Sequence, residues 1–539
     1  MVNQGKDVVR GLCSWLAVIG VCAAAEPPQI TLEVKDYATM PITGALDGKG
    51  QTNGLLARVN FLREEPGGGR GRFFINDLNG PLYILNKASK KLTTYLDFNG
   101  REGHTGIFHK LSYETGYGSG FVNFTFDPDY ARNGKFYTIH VEDPELPGSA
   151  LPDNMAFPGF KISGYTVTDA IRTPGPTQRE GVLIEWTDAN PSNSTFEGTA
   201  REIMRVQLNT RTHPMGDFIF NPAAHPGDAD WRVLYISCGD GGAGEARTAI
   251  RSNPQRLDTL VGKILRIIPG IEEHKDSSTL SENGRYRIPN DNPFVSTAGA
   301  RKEIWAYGLR NPSRLSWDVD PGNPANNHLI ADVIGLRTWE TVVIIHKGAN
   351  YGYSLREGNQ TLDQDNKVGP LPEDDRIPVR IDETTTDGVT VPTYAVVQYG
   401  HVNGGGDAAS SGYVYRGKVI PALRGKYLFG DISTGNLWYV DYKEMLAADD
   451  GDPHTMAAMH QVKVLWNKPT GGSELYGSMA PITESAYHTR GGTAAGLPGR
   501  AAVSGGRSDI HLCVDADGEL YILSKSDGVV RAVVGAVSK

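Results

Sequence analysis

The sequence predicts an all-β protein, a six-bladed β-propeller with long inserted loops, and three observations carry that expectation. The 65 Gly and 32 Pro among 539 residues punctuate the chain so densely that almost no stretch keeps an apolar period of 3.6 residues beyond two turns. One form recurs: an apolar strand, an Asp/Asn/Gly turn, and a second strand with an aromatic residue or leucine near its start. Six irregularly spaced copies of it point to radial repetition of small antiparallel sheets. A sandwich or barrel would also show Asp-Gly turns, but it rarely needs about five hundred residues.

The copies run in order along the chain. FFINDLNGPLYIL (73 to 85) joins two β-rich runs through Asn-Gly. FVNFTFDPDYARNGKFYTIHV (121 to 141) turns at Asp-Pro-Asp and Asn-Gly. FIFNPAAHPGDADWRVLYIS (218 to 237) ends in WRVLYISC, which has the length and the β-branched and aromatic content of a buried strand. RLSWDVDPGNPANNHLIADV (314 to 333), KYLFGDISTGNLWYVD (426 to 441) and LCVDADGELYILSKSDGVVRAVV (512 to 534) repeat the form. The final VVRAVV is expected to close the ring on the first blade. The intervals 142 to 200 and 442 to 508 are rich in Pro, Ser, Gly and Thr and read as insertions on the faces of the disc, not as separate domains.

With 39% hydrophobic and 21% charged residues the composition is that of a globular chain with a large core. The formal net charge of -9 and the lack of a basic stripe argue against nucleic acid as a partner. Lys6 and Arg10 precede LCSWLAVIGVCAAA, and Ala23, Ala24 and Ala25 stand before Glu26-Pro27-Pro28. This is the pattern of a secretory signal, too short for a membrane span, so residues 1 to 25 are expected to be removed and 26 to 539 to form a single exported domain, secreted or periplasmic. A lipid anchor at Cys22 is disfavoured by Val21. Cys238 and Cys513 remain; they could bridge, but each sits in an apolar run that suits a buried thiol, and that reading is preferred.

The candidate chemistry starts at NPAAHPGDADWRVLYISCGDGGA (221 to 243). If the strand crosses a sheet once, His225 and Asp240 lie near its two ends, unless the loops fold inward to the mouth of a central channel, where residues distant in sequence converge. Taken alone, His225 reads as a turn-capping histidine, Asp240 as an Asx-turn residue and Arg310 as a tie between blades.

In order along the chain, GFVNFTFDPDYARNGKFY, AAHPGDADWRVLYISCGDGG, NPQRLDTLVGKILRI, IPNDNPF, EIWAYGLRNPSRLSWDVD, WETVVIIHKGANYGY and SGYVYRGKVIPALRGKYLFGD resemble blocks of the glucose/sorbosone dehydrogenase family. The family comprises secreted six-bladed propellers in which pyrroloquinoline quinone (PQQ) oxidises sugars or other alcohols. IPNDNPF followed by IWAYGLRNP is the most specific pairing. The resemblance implies His225 as the base that takes the substrate hydroxyl proton, and Asp240 as the carboxylate that orients it. It implies Arg310 and Asn311 as the polar pair beside the quinone, and an enzyme that passes its electrons to an external acceptor.

The resemblance also implies a calcium ion held by backbone carbonyls in ADVIGLRTWE, at Gly335 and Leu336. The chain departs from the family where a Gly pair usually follows the base, since Pro226-Gly227-Asp228 stands there. Arg416 and Lys418 are the candidates by context for the cofactor's carboxylates, and His401 for a second histidine at the substrate. The alternatives are a non-catalytic propeller that binds carbohydrate or a protein partner and, with less support, a lactonase-type hydrolase.

Overall fold

The structure is a computed structural model that describes residue 1 and residues 29–47, 49, 54–67, 71–101, 103–113, 118–320, 322–323, 326–402, 405–499 and 506–538. Apart from Met1, the predicted signal segment 1–25 lies outside the described residues, as do Cys13 and Cys22. The chain is mostly β, as predicted, with short helices at Tyr130–Asn133, Tyr442–Ala447 and Ala480–Thr489. No helix among the described residues is long and apolar enough to cross a membrane.

Five four-stranded antiparallel sheets begin at strands Val59–Glu64, Phe121–Phe126, Met215–Phe220, Asn311–Asp318 and Ala409–Val414. A sixth, six-stranded sheet begins at Ile510–Val514. Each of the six repeated units of the sequence falls in a different sheet. The first strands pack side by side in chain order, and Val59–Glu64 meets Ile510–Val514 to complete the cycle. Sheets stacked in this way cover one another on both faces. That is why Arg72–Asp77 and Phe121–Phe126 are buried along their whole length, their polar residues included.

Two details of the predicted organisation are corrected. Strand Val529–Ser538 does not pair with the first sheet. It pairs antiparallel with Ile30–Thr39, which thereby joins the last sheet and also pairs in parallel with Lys463–Asn467. The two predicted insertions are so only in part: Arg179–Asp188 and Gly198–Leu208 are the long outer strands of the second sheet, and 442 to 508 supplies His460–Gln461 to the fifth sheet and Lys463–Asn467 and Ser473–Tyr476 to the sixth. Cys238 and Cys513 are buried free thiols, and burial pushes each up to about 12.

Because the six first strands run the same way, their ends define two sides. Asn60, Val122, Gly216, Asn311 and His511 line a cavity of about 700 Å³ at the starting ends. Glu64, Phe126, Phe220, Trp317, Tyr413 and Val514 line a second cavity of about 590 Å³ at the finishing ends. Between them sits the fully buried Asp217, which accepts from Asn123 Nδ2 at 2.8 Å and the Leu315 amide at 2.9 Å and lies 3.5 Å from Arg63. One carboxylate thus ties four sheets together at the axis.

Candidate active site

Strand register fixes the first contact. Met215–Phe220 runs antiparallel to Leu234–Cys238 with Met215 opposite Cys238. Two residues further out, His213 and Asp240 face each other, and His213 Nδ1 lies 2.6 Å from Asp240 Oδ1. The approach needs Gly239, where a Cβ would stand 2.5 Å from the His213 carbonyl oxygen. His213 takes a positive φ of 52°, and its carbonyl accepts from the Gly241 amide at 3.1 Å.

Asp240 is fully buried and accepts from the amides of Gly242 at 2.8 Å and Gly244 at 2.9 Å. Its own amide donates to the Arg310 carbonyl at 2.7 Å. Burial alone would raise this carboxyl, but His213, Arg310 and the Gly242 amide outweigh it and hold the group below its ordinary value. An ionised carboxylate only accepts, so the neutral ring carries its proton on Nδ1 and leaves Nε2 as a lone-pair acceptor. No protein hydrogen bond engages that Nε2 among the described residues, and His213 lines the first cavity.

His225 is therefore not the partner of Asp240. Its side chain is 81% exposed, its Nδ1 lies 3.7 Å from Asp228, and it borders the second cavity. The reason is the strand between them: Leu234–Cys238 crosses the sheet once, and the loops at its two ends do not fold together. The histidine at the Asp240 end is the one that precedes the neighbouring antiparallel strand. The sequence signal was His213-Pro214-Met215-Gly216, directly ahead of an apolar run.

Arg310 and Asn311 both line the first cavity, beside His213. The Arg310 guanidinium pairs with Glu245 and donates to the Ile334 carbonyl at 3.3 Å. Burial would lower it, but Tyr353, Glu245 and Asp240 hold it above its ordinary value, so it is a permanent cation. His401 also reaches this cavity, with Nε2 2.8 Å from Glu340 Oε1.

Arg416 and Lys418 do not reach it. Arg416 pairs with Asp318 at 2.7 Å, and Lys418 is exposed with its amide on Glu519. The cations that do line the cavity, besides Arg310 and Arg314, are Arg337, Arg507 and Lys525. Burial pushes Lys525 down to about 7 against the pull of Asp509. Sequence reasoning had no means of finding these, because each comes from a different loop around the axis.

Gly335 and Leu336 also lie at this cavity. The amides of Leu336, Arg337, Thr338 and Trp339 all donate to Glu357 Oε1, at 2.9, 2.7, 2.8 and 3.2 Å. In a trans peptide the carbonyl points opposite to the following N–H, so the Gly335 and Leu336 carbonyls are turned away from Glu357. Gly335 is required at the turn, since a Cβ there would lie 1.6 Å from the Trp339 carbonyl oxygen. Among the described residues no group of three or more His, Cys, Asp or Glu side chains gathers as a metal cage.

Residues 70–464 match the sequence profile of the glucose/sorbosone dehydrogenase family. The chain is similar to HIPL1 protein of Arabidopsis thaliana, 27% identical over 387 residues covering 69% of this chain and 50% of that one. It is 32% identical over 149 residues to aldose sugar dehydrogenase YliI of Escherichia coli, covering 28% and 31% of the two chains. It is 25% identical over 276 residues to human Hedgehog-interacting protein, covering 50% and 31%. The chain thus spans about half the length, or less, of these relatives. Among solved structures, a glucose dehydrogenase shares the fold with a TM-score of 0.50 at 18% identity, covering 89% of this chain and 98% of that one. With most of its length matched by the profile, the chain belongs to the glucose/sorbosone dehydrogenase family.

Proposed function

We propose that the protein is an exported quinoprotein dehydrogenase, a single six-bladed propeller that oxidises a sugar or related alcohol in the first cavity and hands electrons to an external acceptor. The observation that carries the reading is the 2.6 Å contact between His213 and a buried, ionised Asp240, with Arg310 beside them on a cavity of about 700 Å³.

Pyrroloquinoline quinone is a planar tricarboxylate, and the donor set suits it. Arg507, Lys525 and Arg337 supply cations for the carboxylates, while the fixed charge of Arg310 is available to negative charge building on an oxygen. The carbonyls of Gly335 and Leu336 are the oxygen donors that a calcium ion would take, with the peptide N–H groups occupied on Glu357. When bound, the quinone supplies a two-electron acceptor for hydride.

The chain's own residues do the rest. His213 Nε2 accepts the proton of a substrate hydroxyl. Asp240 keeps the other nitrogen protonated, so the ring presents the correct lone pair, and stabilises the imidazolium that forms. Arg310 holds its charge through Glu245 and the Ile334 carbonyl, and Gly239 lets the His213 backbone sit against the strand end. His401, at the same mouth, is placed for contact with the substrate. The segment 1–25 is proposed as the export signal and 26–539 as the mature domain.

The chain is reconstituted with the quinone and calcium and assayed for dye reduction over a panel of aldoses and alcohols. Turnover with bound quinone supports the reading; absence of both retires it. The match to Hedgehog-interacting protein favours a second reading, a propeller that binds a partner without catalysis, which predicts no quinone binding at all.

A further inference from the structure

The second cavity, of about 590 Å³, lies at the finishing ends of the inner strands and has no part in the site above. Six aromatic rings border it: Phe61, Phe126, Phe220, Trp231, Trp317 and Tyr413. They come from five of the six sheets, so this concentration of rings belongs to the axis of the fold and not to one loop.

Two polar groups among them have no protein partner. Trp317 is held edge-on against Tyr235 with ring centroids 5.4 Å apart, yet its indole N–H is buried without a hydrogen bond. That N–H is enclosed by protein and does not open onto the cavity, so Trp317 presents its ring there. The Tyr413 hydroxyl is held well above the usual phenol value by burial, which keeps it a donor, and it makes no protein hydrogen bond among the described residues.

The charges of Asp127, Glu64 and Arg63 are engaged within the protein. Asp127 accepts from Arg232 at 2.8 Å, and Glu64 from Lys87 at 2.9 Å. Arg63 lies over the Phe61 ring at 4.3 Å and 3.5 Å from Asp217. What remains on offer is a set of flat aromatic faces and the neutral hydroxyl of Tyr413. A purely apolar ligand would leave the Tyr413 hydroxyl unmet, and an anion would meet the carboxylates of Glu64, Asp127 and Asp515. A pyranose ring answers both demands, with C–H faces for the aromatic rings and uncharged hydroxyl oxygens for the Tyr413 hydroxyl.

We propose that this cavity is a second, non-catalytic site for a neutral mono- or disaccharide, on the face opposite His213. The test titrates glucose, maltose and cellobiose separately into the full chain without quinone and follows binding by calorimetry. Saturable binding of at least one sugar is expected. Tyr413→Phe, which keeps a ring but removes the hydroxyl, should weaken it about fivefold, the equivalent of one ordinary hydrogen bond.

Trp317→Leu, which removes a ring face, is the second variant and should weaken binding in the same direction. His213→Ala and Arg310→Ala should leave it unchanged. No saturable binding of any of the three sugars overturns the proposal. So does binding that is insensitive to both aromatic variants or that follows His213 and Arg310. Dye-reduction activity with quinone is a separate readout, so failure here and failure of the dehydrogenase reading are told apart.

Discussion

The Nδ1 of His213 and the Oδ1 of Asp240 stand 2.6 Å apart, brought together by the antiparallel pairing of Met215 with Cys238 two residues inward. Everything the first cavity is proposed to do depends on that contact, because it fixes which ring nitrogen is free.

Asp240→Asn keeps the shape of the side chain but removes the charge that holds the proton on Nδ1. An amide can donate to the ring as well as accept from it, so the tautomer is no longer defined. In the quinone-loaded protein kcat is expected to fall about 10²-fold or more, with the midpoint of unfolding shifted far less. Steady-state dye reduction alongside thermal melting checks the pair of outcomes.

Arg310→Lys keeps a positive charge but loses the planar fork that reaches Glu245 and the Ile334 carbonyl together. The expected result is a fall of about 10²-fold in kcat with a smaller change in KM, since the fixed cation acts on charge that develops during reaction. An increase in KM alone would assign Arg310 to ground-state binding.

Lys525 gives the cavity a pH dependence whose sign follows from its depressed value of about 7. Below that pH the folded protein carries the charge, and above it the charge is gone, so quinone affinity should fall between pH 6 and pH 8. Stability runs the other way. Between about 7 and the ordinary lysine value of 10.5 the unfolded chain binds more protons than the folded one at this group, so its contribution rises with pH. Fluorescence titration of the quinone at the two pH values, with Lys525→Met flattening the difference, tests the first statement.

Gly239→Ala places a methyl group 2.5 Å from the His213 carbonyl oxygen and 2.8 Å from its carbonyl carbon. The backbone must shift where the proposed base is anchored, so destabilisation of about 1–3 kcal/mol is expected together with lost turnover. Urea unfolding and dye reduction on the same preparation read both effects.

The repeated strand-turn-strand form made the sheets legible, because a sheet covered on both faces needs long apolar runs and its turns need Asp, Asn and Gly. The outer strands Arg179–Asp188 and Gly198–Leu208 were hidden in a stretch whose turn-rich composition masked them. In the site, Asp240, Arg310, Asn311, Gly335 and Leu336 were named from sequence and all but Asp240 line the first cavity, with Asp240 buried directly behind His213. The histidine that meets Asp240 is His213 and not the His225 named from sequence.

A resemblance read along one segment ranks residues by neighbourhood in the chain, whereas the partner of Asp240 is set by register across two strands. Strand direction alone separates His225 from Asp240, and the Gly216 that follows His213-Pro214-Met215 was the available clue. Lys525 and Arg507 lay beyond reach, since only ring closure brings the last sheet to the mouth of the third.

The most direct test compares kcat for dye reduction in His213→Gln and His225→Gln, both loaded with quinone and calcium. The account predicts a loss of about 10²-fold or more for His213→Gln and a change within about twofold for His225→Gln. Full activity in the first variant, or loss confined to the second, would contradict it.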